Sequence, residues 1–161
     1  MVNSLDRLMA FEEIRQLKAR YFRYVDTKDW AGLTGVFAPD AIFRHRYGGS
    51  VRDPRTGAWD PPLPEESITA GRDAIVARIR AIVEHIHTVH HGFMPEIDLI
   101  SPDRARGVWA MRDELRDRDG GLILSGAGHY HETYIRLPTG WAIESAELRR
   151  LSIVRPGDRQ P

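Results

Sequence analysis

Helical periodicity in the first part of the chain, followed by extended segments divided by short turns, predicts an α+β fold with N-terminal helices covering one face of a sheet. Apolar residues recur at three- and four-residue intervals up to Val25 and again from Ile75 to Ile86. Beyond Thr88 the pattern becomes extended and is cut by Ser101-Pro102-Asp103, Asp119-Gly120-Gly121 and Pro138-Thr139-Gly140. The chain has 161 residues, enough for one core with a ligand cavity inside it. A single domain over residues 1–155 is expected, with a frayed tail from Pro156 to Pro161.

Asn3 or Ser4 can cap a first helix that carries Leu8, Ile14, Leu17, Tyr21 and Val25. A short second helix is expected from Thr27 or Asp29, with Trp30, Leu33 and Val36. Pro39-Asp40 ends it, because a proline steers the residue before it away from helical geometry. An extended segment then runs from Ala41 to Tyr47. Between Gly48 and Ser67 the density of glycine and proline predicts a long irregular loop: a lid with Trp59 as its apolar element, or a disordered insertion. Gly71 opens a third helix with Ile75, Ile79, Ile82, Val83 and Ile86 as its apolar stripe. The strands expected after it are Thr88 to Ile100, Ala105 to Arg116, Leu122 to Leu137 and Trp141 to Val154. Their short turns make them antiparallel neighbours.

Basic and acidic residues number 23 each, so no net field favours a nucleic acid or an anionic membrane surface. The absence of cysteine excludes disulfides, thiolate metal sites and cysteine nucleophiles. No apolar stretch approaches the roughly 20 residues of a membrane span, and Met1 to Arg7 lacks an export pattern, so a cytoplasmic protein is expected. Phosphate loops, dinucleotide fingerprints and serine-nucleophile elbows are all missing from the sequence. Nucleotide-dependent hydride transfer and acyl-enzyme chemistry are thus unsupported, and no cofactor is expected.

Two segments carry the chemistry: Tyr21 to Trp30, which contains Asp26, and Ile86 to Gly92, which contains His90. An imidazole, with an unperturbed pKa of about 6.5, takes up a proton best when a carboxylate fixes its tautomer. An aspartate at a helix C-terminus is unfavourable in the field of the helix dipole. Capping the next helix would explain Asp26, but Asp29 is placed for that task. Strand alternation sets His90, Gly92 and Met94 on one face and Val89, His91 and Phe93 on the other. Tyr21 and Asp26 lie about 140° apart on an ideal helix, so both reach one cavity only where the helix end crosses it. His129 and His131 share a face opposite to Tyr130. With no third ligand at a fitting spacing they read as solvated or interface histidines, and no metal is expected. Trp30, Phe43, Trp109, Met111 and Leu115 are core or ligand wall, and Arg149-Arg150 and Arg116 to Arg118 read as solvated surface.

The element order, with Asp26 at the end of the first helix and Val89-His90-His91-Gly92 on the strand after the third, resembles the SnoaL-like branch of the nuclear transport factor 2-like superfamily. The resemblance covers nearly the whole chain. It implies a cone, a strongly curved mixed sheet wrapped around N-terminal helices with a deep apolar pocket, and a homo-oligomer built through the outer sheet face. Val25 to Trp30 is similar to the helix-end aspartate motif of the family's dehydratases and related lyases, including scytalone dehydratase, the bile-acid dehydratase and the hexachlorocyclohexane dehydrochlorinase. Val89 to Gly92 is similar to their histidine motif. The resemblance implies Asp26 as the orienting carboxylate, His90 as the general base, Tyr21 as a pocket tyrosine and Asp113, within Met111 to Glu114, as a pocket aspartate. His45 stands where these dehydratases carry a tyrosine, and no arginine near Ala146 matches that of the dehydrochlorinase. His45, Tyr47, Trp30, Phe43, Trp59, Trp109, Met111 and Tyr130 are the expected contacts to a hydrophobic small molecule.

These readings imply a cofactor-independent lyase, a dehydratase of hydrophobic cyclic or polycyclic molecules. His90 would remove a proton made acidic by a carbonyl, and Tyr21, Tyr130 or His45 would donate hydrogen bonds to the enolate. His90 or a neutral Asp113 would then protonate the departing hydroxyl. An isomerase using the same abstraction, a non-catalytic ligand-binding module and a small accessory subunit of a larger oxygenase stand beside it as alternatives.

Overall fold

The structure is a computed structural model that describes residues 3–44, 49–62 and 68–158. Two of the expected ligand contacts, His45 and Tyr47, lie outside the described residues.

Helix α1 (Ser4–Thr27) begins where the Asn3 side chain accepts the Asp6 amide at 2.8 Å, satisfying one of the amides a helix start leaves unpaired. It stops at Lys28, which turns left-handed at φ 61° and returns its N–H to the carbonyls of Tyr24 and Val25. The buried stripe is Ala10, Ile14, Leu17, Lys18, Tyr21, Phe22 and Val25. Leu8, expected on that stripe, is 63 % exposed, since it lies about 120° around the helix from Ile14. Helix α2 (Trp30–Thr34) is capped by Asp29, whose carboxylate accepts the Gly32 amide at 2.8 Å, which frees Asp26 from that task.

The remaining strands form one mixed sheet, with β7 (Arg104–Arg116), β8 (Leu122–Leu137) and β9 (Gly140–Val154) as its antiparallel centre. Strands β1 (Phe37–Arg44) and β2 (Val51–Arg52) run parallel to β9. The short strand β3 (Trp59–Asp60) pairs with β2, and β4 (Ile68–Ala70) pairs with β1. Helices α1 and α3 (Arg72–Val83) pack on the inner face of this curved sheet, and α3 buries Ile75, Val76, Ile79 and Val83. Ile14, Leu33, Ala41, Ile75, Tyr134 and Ile143 are fully enclosed between the layers. Burial of each large aliphatic side chain among them contributes about 1.5–3 kcal/mol. Among the described residues no helix is long and apolar enough to cross a membrane.

Three segments differ from the sequence expectation. The stretch from Thr88 to Ile100 is two strands, β5 (His87–Gly92) and β6 (Glu96–Ser101), both antiparallel to β7. Pro95, which has no amide to give to a ladder, falls in the break between them. Strand β1 starts at Phe37, ahead of Pro39, and absorbs the proline through a register shift between Phe37 and Ile42. The breaker-rich interval contains the β2–β3 ribbon. There Asp53 accepts the amides of Arg55 and Thr56, and Gly57 takes the positive φ that the turn requires.

Candidate active site

The end of α1 and strand β5 bring Asp26 and His90 together. His90 Nδ1 lies 2.6 Å from Asp26 Oδ1, the His90 backbone N–H donates to Oδ2 at 2.9 Å, and the Thr88 hydroxyl donates to Oδ1 at 2.8 Å. Lys28 Nζ donates to the Thr88 oxygen at 3.0 Å, extending the chain of donors outward. An ionised carboxylate only accepts, so in the neutral imidazole the ring proton sits on Nδ1 and Nε2 is the acceptor. Burial pushes the Asp26 carboxyl up, but the His90 ring and amide and the Thr88 hydroxyl outweigh it and hold the carboxyl below the usual range. A carboxyl depressed in the folded state contributes stability that is present above its unfolded value of about 3.9 and is lost as pH falls through the lower folded value. Asp26→Asn should therefore flatten the acid limb of stability against pH, as read by urea unfolding at stepped pH.

His90 also lines a cavity of about 280 Å³ walled by Val25, Phe43, Leu115, Leu124 and Leu148. That volume lies near the small end of the roughly 300–1,000 Å³ typical of ligand pockets, and a few converging polar groups among apolar walls are what such pockets present. The polar groups beside His90 are Tyr21, Tyr130, Asp113, Arg150 and Arg155. Asp113 Oδ2 lies 3.9 Å from His90 Nε2. Asp113 is itself held by Arg150 through two contacts, Nη1 to Oδ1 at 2.7 Å and Nη2 to Oδ2 at 2.5 Å. Both side chains are buried, so Arg150 is not the solvated surface residue expected from the sequence. It follows Leu148 at a two-residue interval on β9 and shares the inward face with it. Gly126, opposite Asp113 on β8, makes room for the pair. A Cβ there would fall 1.9 Å from Arg150 Nη1 and 2.9 Å from Asp113 Oδ1. Gly126→Ala should accordingly displace the guanidinium and lower stability by about 1–3 kcal/mol, the usual cost of overpacking, as read by urea unfolding.

The Tyr21 and Tyr130 rings meet edge-on at 5.9 Å, and burial pushes both phenols up, so each hydroxyl keeps its proton and remains a donor. The Phe22 ring stacks against His90 at 5.9 Å and 12°. Gly92 permits this, since a Cβ there would sit 2.5 Å from Phe22 Cε2.

Of the expected ligand contacts, Phe43 and Tyr130 line the cavity. Trp30 is half-buried at the edge of the core, and Trp59 lies in a separate depression with Arg52 and Leu151. Trp109 and Met111 are plain core, and Trp109 Nε1 donates to the Tyr134 hydroxyl at 2.7 Å. Leu124, Leu148 and Arg150 were missed as cavity residues. Inward alternation along β8 and β9 carries their signal once Tyr130 is placed inside. His129 and His131 have their rings 6.5 Å apart, on the face opposite Tyr130, and no group of three metal-ligating side chains occurs among the described residues. A larger depression of about 490 Å³ surrounds Arg106, His131 and Glu147 on that side. It is bounded by exposed ion pairs such as Arg106–Asp98, whereas the inner cavity is lined by the ring that Asp26 orients, so the inner cavity is the candidate site.

A family model described as a SnoaL-like domain matches residues 6–147. The chain belongs to this family. It thereby falls in the nuclear transport factor 2-like superfamily, and the curved α+β architecture agrees. Over 141 residues it is 29 % identical to the probable cyclase FGR4 of Gibberella zeae, covering 86 % of this chain and 89 % of that protein. A putative scytalone dehydratase from Novosphingobium aromaticivorans superposes with a TM-score of 0.75 at 19 % identity, covering 98 % of this chain and 94 % of that one. A hexachlorocyclohexane dehydrochlorinase, LinA type 2, superposes with a TM-score of 0.75 at 16 % identity, covering 99 % and 97 % of the two chains. At these identities the two superpositions speak for the fold alone.

Proposed function

We propose that this SnoaL-like protein is a cofactor-independent lyase, a dehydratase that removes water from a compact hydrophobic cyclic carbonyl compound. One observation carries the reading: His90, oriented by Asp26 at 2.6 Å, lines an apolar cavity. His90 Nε2 takes the proton from the carbon beside the carbonyl, and the electrons of that C–H bond move into the enolate. Asp26 stabilises the imidazolium formed, and the hydroxyls of Tyr21 and Tyr130 donate to the enolate oxygen. As the double bond closes, the C–O bond to the leaving hydroxyl breaks. The imidazolium returns its proton to that oxygen, so water leaves and His90 is neutral again. Asp113 takes a different part from the neutral acid expected from the sequence. With both oxygens engaged by Arg150, it anchors the guanidinium at the cavity wall. The name of the probable cyclase related in sequence supports an enzyme, and the dehydratase and dehydrochlorinase show that other proteins use this fold for elimination.

Incubation with a panel of fused-ring β-hydroxy ketones, read by product mass, tests the reaction. Loss of one water from at least one compound, absent with His90→Ala, is expected. Turnover at unchanged mass would reassign the protein as an isomerase using the same base, and binding without turnover would leave a ligand-binding module.

A further inference from the structure

Lys18 is a charged residue fully enclosed in the core, one turn before Tyr21 and Phe22 on α1, and it does not line the cavity. Its Nζ lies 2.5 Å from Glu132 Oε1, and the other Glu132 oxygen accepts the Tyr134 hydroxyl at 2.5 Å. The same Nζ lies 3.5 Å from the ring centroid of Tyr130, 4.3 Å from that of Tyr21 and 4.8 Å from that of Phe22. Burial lowers the Lys18 pKa, while the Glu132 carboxylate opposes that shift and favours the ammonium. A buried ion pair is weak evidence of a stabilising role, because well-packed apolar residues often serve as well. What distinguishes this pair is its company. Two of the three rings under the ammonium belong to the cavity tyrosines, and the third is stacked on His90.

A cation on a ring face is attracted to the π electrons and draws density from the ring. In a phenol that withdrawal makes the O–H a stronger hydrogen-bond donor. We propose that Lys18 is a positioning residue of this site: held by Glu132, it acts through the rings of Tyr21 and Tyr130 to strengthen the hydrogen bonds their hydroxyls donate to an enolate oxygen. The proposal rests on the reading of these tyrosines as donors to the enolate. It supplies a reason for an ammonium in a place where a methionine would fill the same space.

β-Naphthol, whose ionised form imitates an enolate, and its methyl ether, which cannot ionise, separate donor strength from packing. The wild type is expected to bind β-naphthol more tightly than the ether. Lys18→Met combined with Glu132→Gln, which leaves no lone carboxylate in the core, should weaken β-naphthol binding about tenfold and change ether binding less than about twofold, in line with the worth of a desolvated cation–π contact. Equal losses for both ligands, or none for either, would overturn the role of Lys18 while leaving the tyrosine donors standing. No preference for β-naphthol in the wild type would overturn the donor reading and the Lys18 proposal together. Side-chain NMR of Lys18 in the wild-type protein supplies a check that needs no variant: an ammonium in the β-naphthol complex is expected, and a neutral amine would refute the proposal.

Discussion

Replacing His90 by alanine is expected to lower kcat/KM for elimination by about 10²–10⁴-fold, the contribution of a positioned general base, and to leave the fold in place. The fold should survive because Asp26 keeps the donors from the residue-90 backbone amide and the Thr88 hydroxyl. Ligand affinity should change little, since the apolar walls belong to other residues. Asp26→Asn should be nearly as damaging although it removes no base. An amide can donate to Nδ1, which favours the tautomer with the proton on Nε2 and so takes the acceptor away from the substrate. Steady-state kinetics of the two variants on one substrate check both statements. A value of kcat/KM near wild type for His90→Ala would remove His90 from the chemistry.

Arg150→Met is expected to destabilise the protein by about 3–5 kcal/mol, because it strands Asp113 as an uncompensated charge in the interior. Asp113 is 2 % exposed, and both its oxygens depend on the guanidinium. Pairing the change with Asp113→Leu should recover most of the loss, since an apolar pair of fitting shape can replace a buried ion pair at little net cost. Urea unfolding of the two single variants and the double variant gives the coupling directly. The double variant also separates stability from activity: a stable fold with impaired turnover would place the pair in ligand positioning, at the wall of the cavity that His90 shares.

Much of the site is legible in the sequence because its parts obey local rules. The first helix is readable from its apolar intervals, and Asp29 is recognisable as a cap, which leaves Asp26 without a capping role. Alternation on β5 and β8 separates His90 from His91 and Tyr130 from its flanking histidines. What the sequence conceals is set by pairing between distant strands. Arg150 next to Arg149 has the look of solvated surface, and only the partnership with Asp113 and the space over Gly126 draws it inward. Lys18 lies on an apolar stripe that its charge interrupts, and Glu132, which compensates it, is 114 positions further on. The break at Pro95 is explicable from its missing amide, but that β5 and β6 both run along β7 is a fact of tertiary pairing.

In the proposed reaction the Asp26–His90 pair removes a proton from carbon next to a carbonyl. A fused bicyclic ketone that has no leaving group, such as α-tetralone, incubated in D2O and followed by proton NMR, isolates that abstraction step. Deuterium is expected to enter beside the carbonyl faster with the wild-type protein than in buffer, and at the buffer rate with His90→Ala. Exchange by His90→Ala at the wild-type rate, or a wild-type protein that binds the ketone without exchanging it, would show that the Asp26–His90 pair is not the base.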